Sequence, residues 1–495
     1  MNNTYEIALK INKRYYFAEF VKKLIALEKN DNQKKLLLQY LLHYNCTHIM
    51  GRYSDFWIEK EIIELGRKYV DFNRTKKIEK GSVLFVMTKV GAIGGHTALV
   101  NNWMQFDKER SYSIVLTDCS YNEVPDFLKE SVKQSGGTIT ILHGNNEYKK
   151  AEALLQYAQC FEKVVLFIHM YDIIPILAFS NKNWKTPVYF YNHANFLFSV
   201  GVSISDAFLT LGAYDSVKAK KFRGASNVHI LTYPSKNIEE NTELTKIKKE
   251  VVRNRIISKY KLVNLKYLIV SMGDDFKYKY IPGCDYKKFV IELLKKAPEG
   301  TYFLIIGADS NSSRWKEMTD VTKGHAVALG RLDRCLASEI IYSSDAYVAS
   351  FPMEAAGLEQ AWSYNVPVFR YSVTNRGFHV YNEKINYLDI TVLIHDIIST
   401  LNDRNNYKIV DIKSDVHRSQ KKEWLEDLNK IFKQKLIHKC KRFKDKKVIT
   451  KEEIINCQLL NDVNMYPFNK FDLLNYRYKI ILNIIEKILG EENGR

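Results

Sequence analysis

SVLFVMTKVGAIGGHTALVNNWMQFDKERSYSIVLTD, residues 82–118, is the stretch that decides the fold. The apolar run 82–87 reads as a strand, glycines at 91, 94 and 95 punctuate a tight turn, and a helix is expected from near Thr97 before a second strand at 112–118. The same texture continues outward in TITILHG (138–144), KVVLFIHM (163–170), VYFYNH (188–193), AFLTLG (207–212) and NVHILTYP (227–234). Near-continuous apolar strands alternating with helices predict a parallel sheet covered on both faces.

A second series follows: YLIVSMG (267–273), TYFLIIGA (301–308), HAVALG (325–330), AYVASF (346–351) and PVFRY (367–371), with KKFVIELLKKA and CLASEIIYSSD as helices between them. The charged segment 237–261 reads as helical and places the boundary between the two series. The fold class expected is α/β, with two Rossmann-like doubly wound lobes, a helical N-terminal prefix and a helical C-terminal extension. The corresponding ranges are 1–78 for the prefix, 79–240 and 241–410 for the lobes, and 411–495 for the extension. Ligands in such sheets bind beyond the carboxyl ends of the strands, so the cleft between lobes is the expected site.

The prefix carries apolar residues three and four apart, as in AEFVKKLIALEK (18–29) and KKLLLQYLLHY (34–44). At the other end, WLEDLNKIFKQKLIHKCKRFKDKK (424–447) puts Leu425, Leu428, Phe432 and Leu436 on one helical stripe amid crowded lysines. That pattern fits either a helix lying on an anionic membrane or a solvated helix packing its stripe on the protein. The last segment, 471–489, reads as a further helix.

Lys and Arg number 74 against 56 Asp and Glu, a formal charge of +18 in 495 residues, which favours a polyanionic partner. No RNA-binding module or stacking surface is visible, which sets a nucleic-acid partner aside. There is no run of about 18 apolar residues and no secretory pattern at the N-terminus, so a cytoplasmic location is expected, with peripheral membrane attachment as an extension of it. Seven scattered cysteines without a C-x-x-C pair read as reduced thiols.

In SFPMEAAGLEQAWSYNVPVF (350–369) a strand runs into a Pro/Gly turn and a helix expected near Gly357. A helix start after a parallel strand suits a diphosphate, and Glu354 or Glu359 would offer acceptors to two ribose hydroxyls. The bland alternatives are a solvent-exposed loop acid for Glu354 and a first-turn acid favoured by the helix dipole for Glu359. In NHANF, Asn192, His193 and Asn195 follow a strand at its carboxyl end. His193 there is a candidate general base with a near-neutral pKa, His96 is its rival, and a structural histidine is the competing reading.

GGHT after the first strand, NHANFLFSVGVSISDAFLTLG late in the first lobe, and FPMEAAGLEQAW followed by VPV in the second resemble bacterial GT-B glycosyltransferases of the family 4-like, surface-polysaccharide type. The resemblance spans roughly residues 81–400. It implies two Rossmann-like lobes facing across a cleft, with the nucleotide sugar held mostly by the second and the acceptor by the first. It assigns Gly94, Gly95 and His96 to the glycine loop near donor phosphates and acceptor, and Gly357, Leu358 and Glu359 to diphosphate and ribose. It assigns Leu329 and Gly330 to the turn that contacts the base. Glu354 and Glu359 lie closer together than the glutamate pair of many retaining members. Lys277 or Lys279 stands where the family neutralises the diphosphate, or is an ordinary surface lysine.

No Asp-x-Asp motif and no metal-ligand spacing occurs, so neither a metal nor another cofactor is expected. The expected reaction is hexosyl transfer from a UDP-type donor to a hydroxyl of a glycan or lipid-linked acceptor. Alternatives are a protein acceptor recognised by the prefix, a sugar-nucleotide epimerase of the same fold, and a non-catalytic nucleic-acid binder.

Overall fold

The structure is a computed structural model that describes residues 2–73, 75–92, 95–234, 247–353, 357–371, 386–407, 421–450, 454, 457 and 469–489. The chain forms two compact units, Met1–Leu231 with Leu428–Arg495, and Thr232–Asp427.

Unit 1 opens with α1 (Asn2–Leu27), α2 (Asp31–Thr47) and α3 (Phe56–Tyr69). Asn30 and Asp55 start α2 and α3 as side-chain N-caps, each accepting two backbone amides of the first turn. The chain then alternates: β1 (Glu79–Met87), α4 (Gly95–Phe106), β2 (Ser111–Leu116), α5 (Asp126–Gln134), β3 (Ile139–Ile141), α6 (Glu147–Ala158), β4 (Phe161–Phe167), α7 (Ile174–Phe179), β5 (Val188–Asn192), β6 (Ala207–Thr210), α8 (Ala213–Phe222) and β7 (Val228–Ile230). The sheet order is β3-β2-β1-β4-β5-β6-β7, parallel throughout. The order reverses between β1 and β4, which opens a crevice at their carboxyl ends.

Unit 2 holds α9 (Lys249–Tyr260), β8 (Tyr267–Met272), α10 (Tyr286–Lys296), β9 (Thr301–Ile306), α11 (Ser313–Val321), β10 (Ala326–Gly330), α12 (Arg334–Ser343), β11 (Ala346–Val348), α13 (Leu358–Ser363), β12 (Val368–Tyr371), β13 (Asn386–Tyr387) and α14 (Ile390–Asn402). Its order, β10-β9-β8-β11-β12-β13, is again parallel and reverses between β8 and β11. Both units are therefore doubly wound, as the alternating apolar runs predicted. Strands such as β9, buried along its whole length, explain those runs.

The prefix is built into unit 1. Glu59 of α3 is fully buried and accepts the backbone amides of Gly201, Val202 and Ser203 at 2.8–3.2 Å, together with the Ser203 hydroxyl. Burial raises its carboxyl pKa to about 7 against those four donors.

The basic C-terminal helix expected over 424–447 is shorter than its stripe suggested. Helix α15 (Lys421–Phe432) ends at Phe432, and 435–450 runs on without helix as a strap along unit 1. The strap's backbone finds partners a helix would have withheld: Lys439 N donates to Asp206, Lys441 N to Ser203 O at 2.6 Å, and Val448 N to Gly51 O at 2.6 Å. Exposure there follows a period of two, with Arg442, Lys444 and Lys446 outward and Phe443, Asp445 and Lys447 half-buried. The last expected helix is present as α16 (Tyr476–Leu489). Among the described residues no helix is long and apolar enough to cross a membrane, and all seven cysteines are free.

Candidate functional site

At the reversal point of unit 1, the loop after β1 returns into α4 through Gly95, whose missing side chain faces open space. Gly94 lies outside the described residues. Thr97, fully buried, accepts the Gly91 amide at 3.1 Å and so closes this turn. His96 Nε2 lies 2.8 Å from Lys89 O, a contact in which the ring nitrogen must donate, leaving Nδ1 as the acceptor of a neutral imidazole.

Three imidazoles meet here. The ring of His96 stacks on His193 at 5.5 Å and 25°, and meets His169 edge-on at 6.0 Å and 74°. His96 lies in the first turn of α4 after β1, His169 follows β4 and His193 follows β5, so the connections leaving three adjacent strands each deliver one ring. His193 Nδ1 is buried with no hydrogen-bond partner among the described residues. Burial, then the charges of His96 and His169, push the His193 pKa down to about 3. Burial thus favours the neutral form of this ring. His169 is lowered to about 4 by burial and then by His96 and Lys89, and His96 is lowered by burial.

Asp172, also fully buried, ties the crevice together by accepting the hydroxyls of Thr88 (2.7 Å) and Thr117 (2.5 Å) and the Ile174 amide (3.0 Å). Thr88 in turn accepts the His169 amide at 2.8 Å. Neither His169 nor Asp172 was singled out from the sequence, because recognising them needs the strand order.

The NHANF loop is held from below. Asn192 is the buried last residue of β5, in register with Thr210. Asn195 is buried, donates to the Asp215 carboxylate, and its carbonyl accepts from Arg223 at 3.0 Å. Its visible work is thus to position the loop. Arg223 donates further to Tyr53 O (2.7 Å), Leu197 O (2.7 Å) and Ser199 Oγ (2.6 Å). Burial lowers its pKa to about 10, opposed by Asp215, so it stays charged.

In unit 2 the loops after β8 and β11 adjoin, with Met353 N donating to Lys277 O at 3.4 Å and Ser350 Oγ to Met353 O at 2.9 Å. Lys277 and Lys279 are half-buried on the β8 side. Gly307 and Gly330, both left-handed at φ +90° and +70°, pair through Gly307 N and Gly330 O at 2.7 Å. That brings the turn after Leu329 beside the β8 loop, where Arg331 lies 3.5 Å from Asp274.

Gly357 precedes α13, as expected, and a Cβ there would overlap the hydroxyl of buried Tyr347, so only glycine lets the helix start this close to β11. Leu358 has its side chain in the hydrophobic core and can offer a ligand only its backbone. Glu354 and the side chain of Glu359 lie outside the described residues. Among the described residues no cluster of three or more His, Cys, Asp or Glu is arranged to hold a metal ion.

No protein-family model matches the sequence, and no curated protein matches it. Solved structures do. HepE from Anabaena, solved in complex with UDP and glucose, matches with a TM-score of 0.51 at 11% identity, over 70% of this chain and 98% of that one. A glycosyltransferase from Rickettsia africae matches with a TM-score of 0.52 at 13% identity, over 72% and 98%. At such identities the likeness concerns the fold, and the chain has the α/β architecture of GT-B glycosyltransferases, two doubly wound units joined in one chain.

Proposed function

We propose that this chain is a metal-independent hexosyltransferase that moves a sugar from a nucleoside diphosphate donor, UDP-based, to a hydroxyl of a glycan or lipid-linked acceptor in bacterial surface-polysaccharide assembly. The bond from the anomeric carbon to the diphosphate breaks, a bond to the acceptor oxygen forms, and the hydroxyl proton leaves with a base. Unit 2 takes the donor through Leu329 and Gly330 at the base, Glu359 at the ribose, and the backbone at Gly357 and Leu358 with Lys277 or Lys279 at the diphosphate. Gly94 and Gly95 are assigned to the donor phosphates on the same reading. His193, His96 and Glu354 are the groups proposed for the reacting centre, with Asn192 and Asn195 on the acceptor side.

The observation carrying this reading is the pair of doubly wound sheets sharing its architecture with HepE, which was solved with UDP and glucose. Support within unit 2 comes from the glycine turns at 307, 330 and 357, which gather around the end of β8. The test is binding and slow hydrolysis of a nucleotide-sugar panel by the purified chain. One uridine donor should bind, and Glu359→Ala should weaken it by roughly tenfold to a hundredfold through loss of a charge-assisted hydrogen bond of about 1.5–3 kcal/mol. Gly357→Ala should weaken it as well, because the helix start must move away from Tyr347. His193→Ala should bind the donor normally and lose transfer. Failure of every nucleotide sugar to bind would end the proposal.

We also place the protein in the cytoplasm, peripheral to an anionic membrane through 421–447. Support comes from the outward Lys439, Arg442, Lys444 and Lys446 of the strap. Sedimentation with vesicles containing anionic lipid should carry the protein down at low salt and release it at high salt; no binding at low salt would remove this part.

A further inference from the structure

The three imidazoles of unit 1 are one end of a longer row of rings. His169 Nδ1 lies 3.2 Å from the Tyr171 hydroxyl, with the two rings 5.7 Å apart at 68°. Tyr171 stacks on His43 at 4.2 Å and 30°. His43 stands on α2, in the helical prefix, so a residue outside the doubly wound sheet packs on the loop that follows β4. All five rings, His43, Tyr171, His169, His96 and His193, are half-buried.

We propose that His43, Tyr171 and His169 form an acceptor subsite that takes a sugar ring of an uncharged glycan. This inference rests on the glycosyltransferase reading for its word acceptor, but it concerns residues and a ligand class that reading leaves open. A pyranose has a patch of polarised C–H bonds on one face and hydroxyls around its edge. Aromatic rings carry a negative face that attracts the former, while imidazole nitrogens and a phenol both donate to and accept from the latter.

The charge balance selects an uncharged partner. Burial disfavours the cationic forms of His169, His96 and His193, and Lys89 beside them is paired with Asp118 at 3.1 Å. A phosphate or carboxylate seated against His43, Tyr171 and His169 would lose water without gaining a counter-charge. A neutral sugar loses little and gains stacking and hydrogen bonds.

The experiment is saturation-transfer NMR and titration of the full chain, without nucleotide sugar, using lactose, cellobiose and chitobiose, with 3′-sialyllactose as the anionic counterpart. At least one neutral disaccharide should bind, with Kd raised roughly tenfold by His43→Ala and by Tyr171→Ala, the scale of one lost hydrogen bond or ring contact. Tyr171→Phe keeps the ring and should raise Kd by less, and it preserves the test if an alanine variant fails to fold. The proposal is overturned if none of the three neutral disaccharides binds, if all folded variants bind like the wild type, or if sialyllactose binds tenfold tighter than lactose. UDP-sugar binding measured on the same samples separates the two ideas. Donor binding without glycan binding removes the subsite alone, and glycan binding without donor binding leaves the subsite and removes the transferase.

Discussion

Arg223→Met is expected to destabilise unit 1 by about 3–5 kcal/mol, the scale for removing one partner from a buried charge pair. The guanidinium is buried and donates to Tyr53 O, Asn195 O, Leu197 O and Ser199 Oγ. Methionine fills much of the same volume, so packing loss is small and the effect reads the hydrogen bonds. Asn195 O and Leu197 O left unpaired in the interior, Tyr53 O left with the Ser199 amide alone, and the buried Asp215 deprived of its positive neighbour, make up the penalty. The carbonyls belong to the loop that carries His193 and to Tyr53 in the segment before α3. Urea denaturation followed by tryptophan fluorescence measures the loss. A change below about 1 kcal/mol would mean that these carbonyls find other partners and that the loop does not depend on Arg223.

That network also marks the limit of what the chain reveals when read as letters. The strands were legible because runs such as TYFLII and SVLFVM are apolar without interruption, which only a strand buried on both faces requires. The two-residue strand Asn386–Tyr387 was not, since it is too short to carry a pattern. Strand order was not legible either: β4 lies beside β1 through pairing between residues about eighty apart. For that reason His193, which ends a strand and sits in a polar motif, was found, whereas His169 at the end of KVVLFIHM and Asp172 behind it were missed.

Arg223, in FRGAS, looks like any surface arginine until the carbonyls of the NHANF loop close around it. The strap failed for the opposite reason. Leu425, Leu428, Phe432 and Leu436 form a genuine helical stripe, yet the helix stops after Phe432 because tertiary partners for the backbone beyond it outweigh local propensity. The three prefix helices were read correctly as helices, but nothing in their periodicity told that Glu59 would bind the 201–203 amides or that His43 would reach Tyr171.

The strap's hold on unit 1 should weaken as pH rises through about 9, and His438 is the reason. Its Nδ1 lies 3.0 Å from Asp206 Oδ2 and its Nε2 lies 2.8 Å from Phe179 O. Both neighbours are acceptors, so both nitrogens donate and the ring is an imidazolium. Burial opposes that charge, but the hydrogen bond and ion pair to Asp206 outweigh it and raise the pKa to about 9. Asp206 is shared: it also accepts the Val188 amide at the head of β5 and the Lys439 amide of the strap. A group whose pKa is raised on folding stabilises fully below its unfolded value, near 6.5, and loses that contribution as pH climbs through the folded value. The shift from 6.5 to about 9 corresponds to roughly 3 kcal/mol between neutral and alkaline pH. Other groups titrate in the same window, so the measurement is a difference. The stability of the wild type minus that of His438→Gln, from urea unfolding, should be about 3 kcal/mol larger at pH 6 than at pH 10. Glutamine cannot carry the charge, and a difference that stays constant across this range would show that His438 is held neutral and that the strap is fastened by its backbone bonds alone.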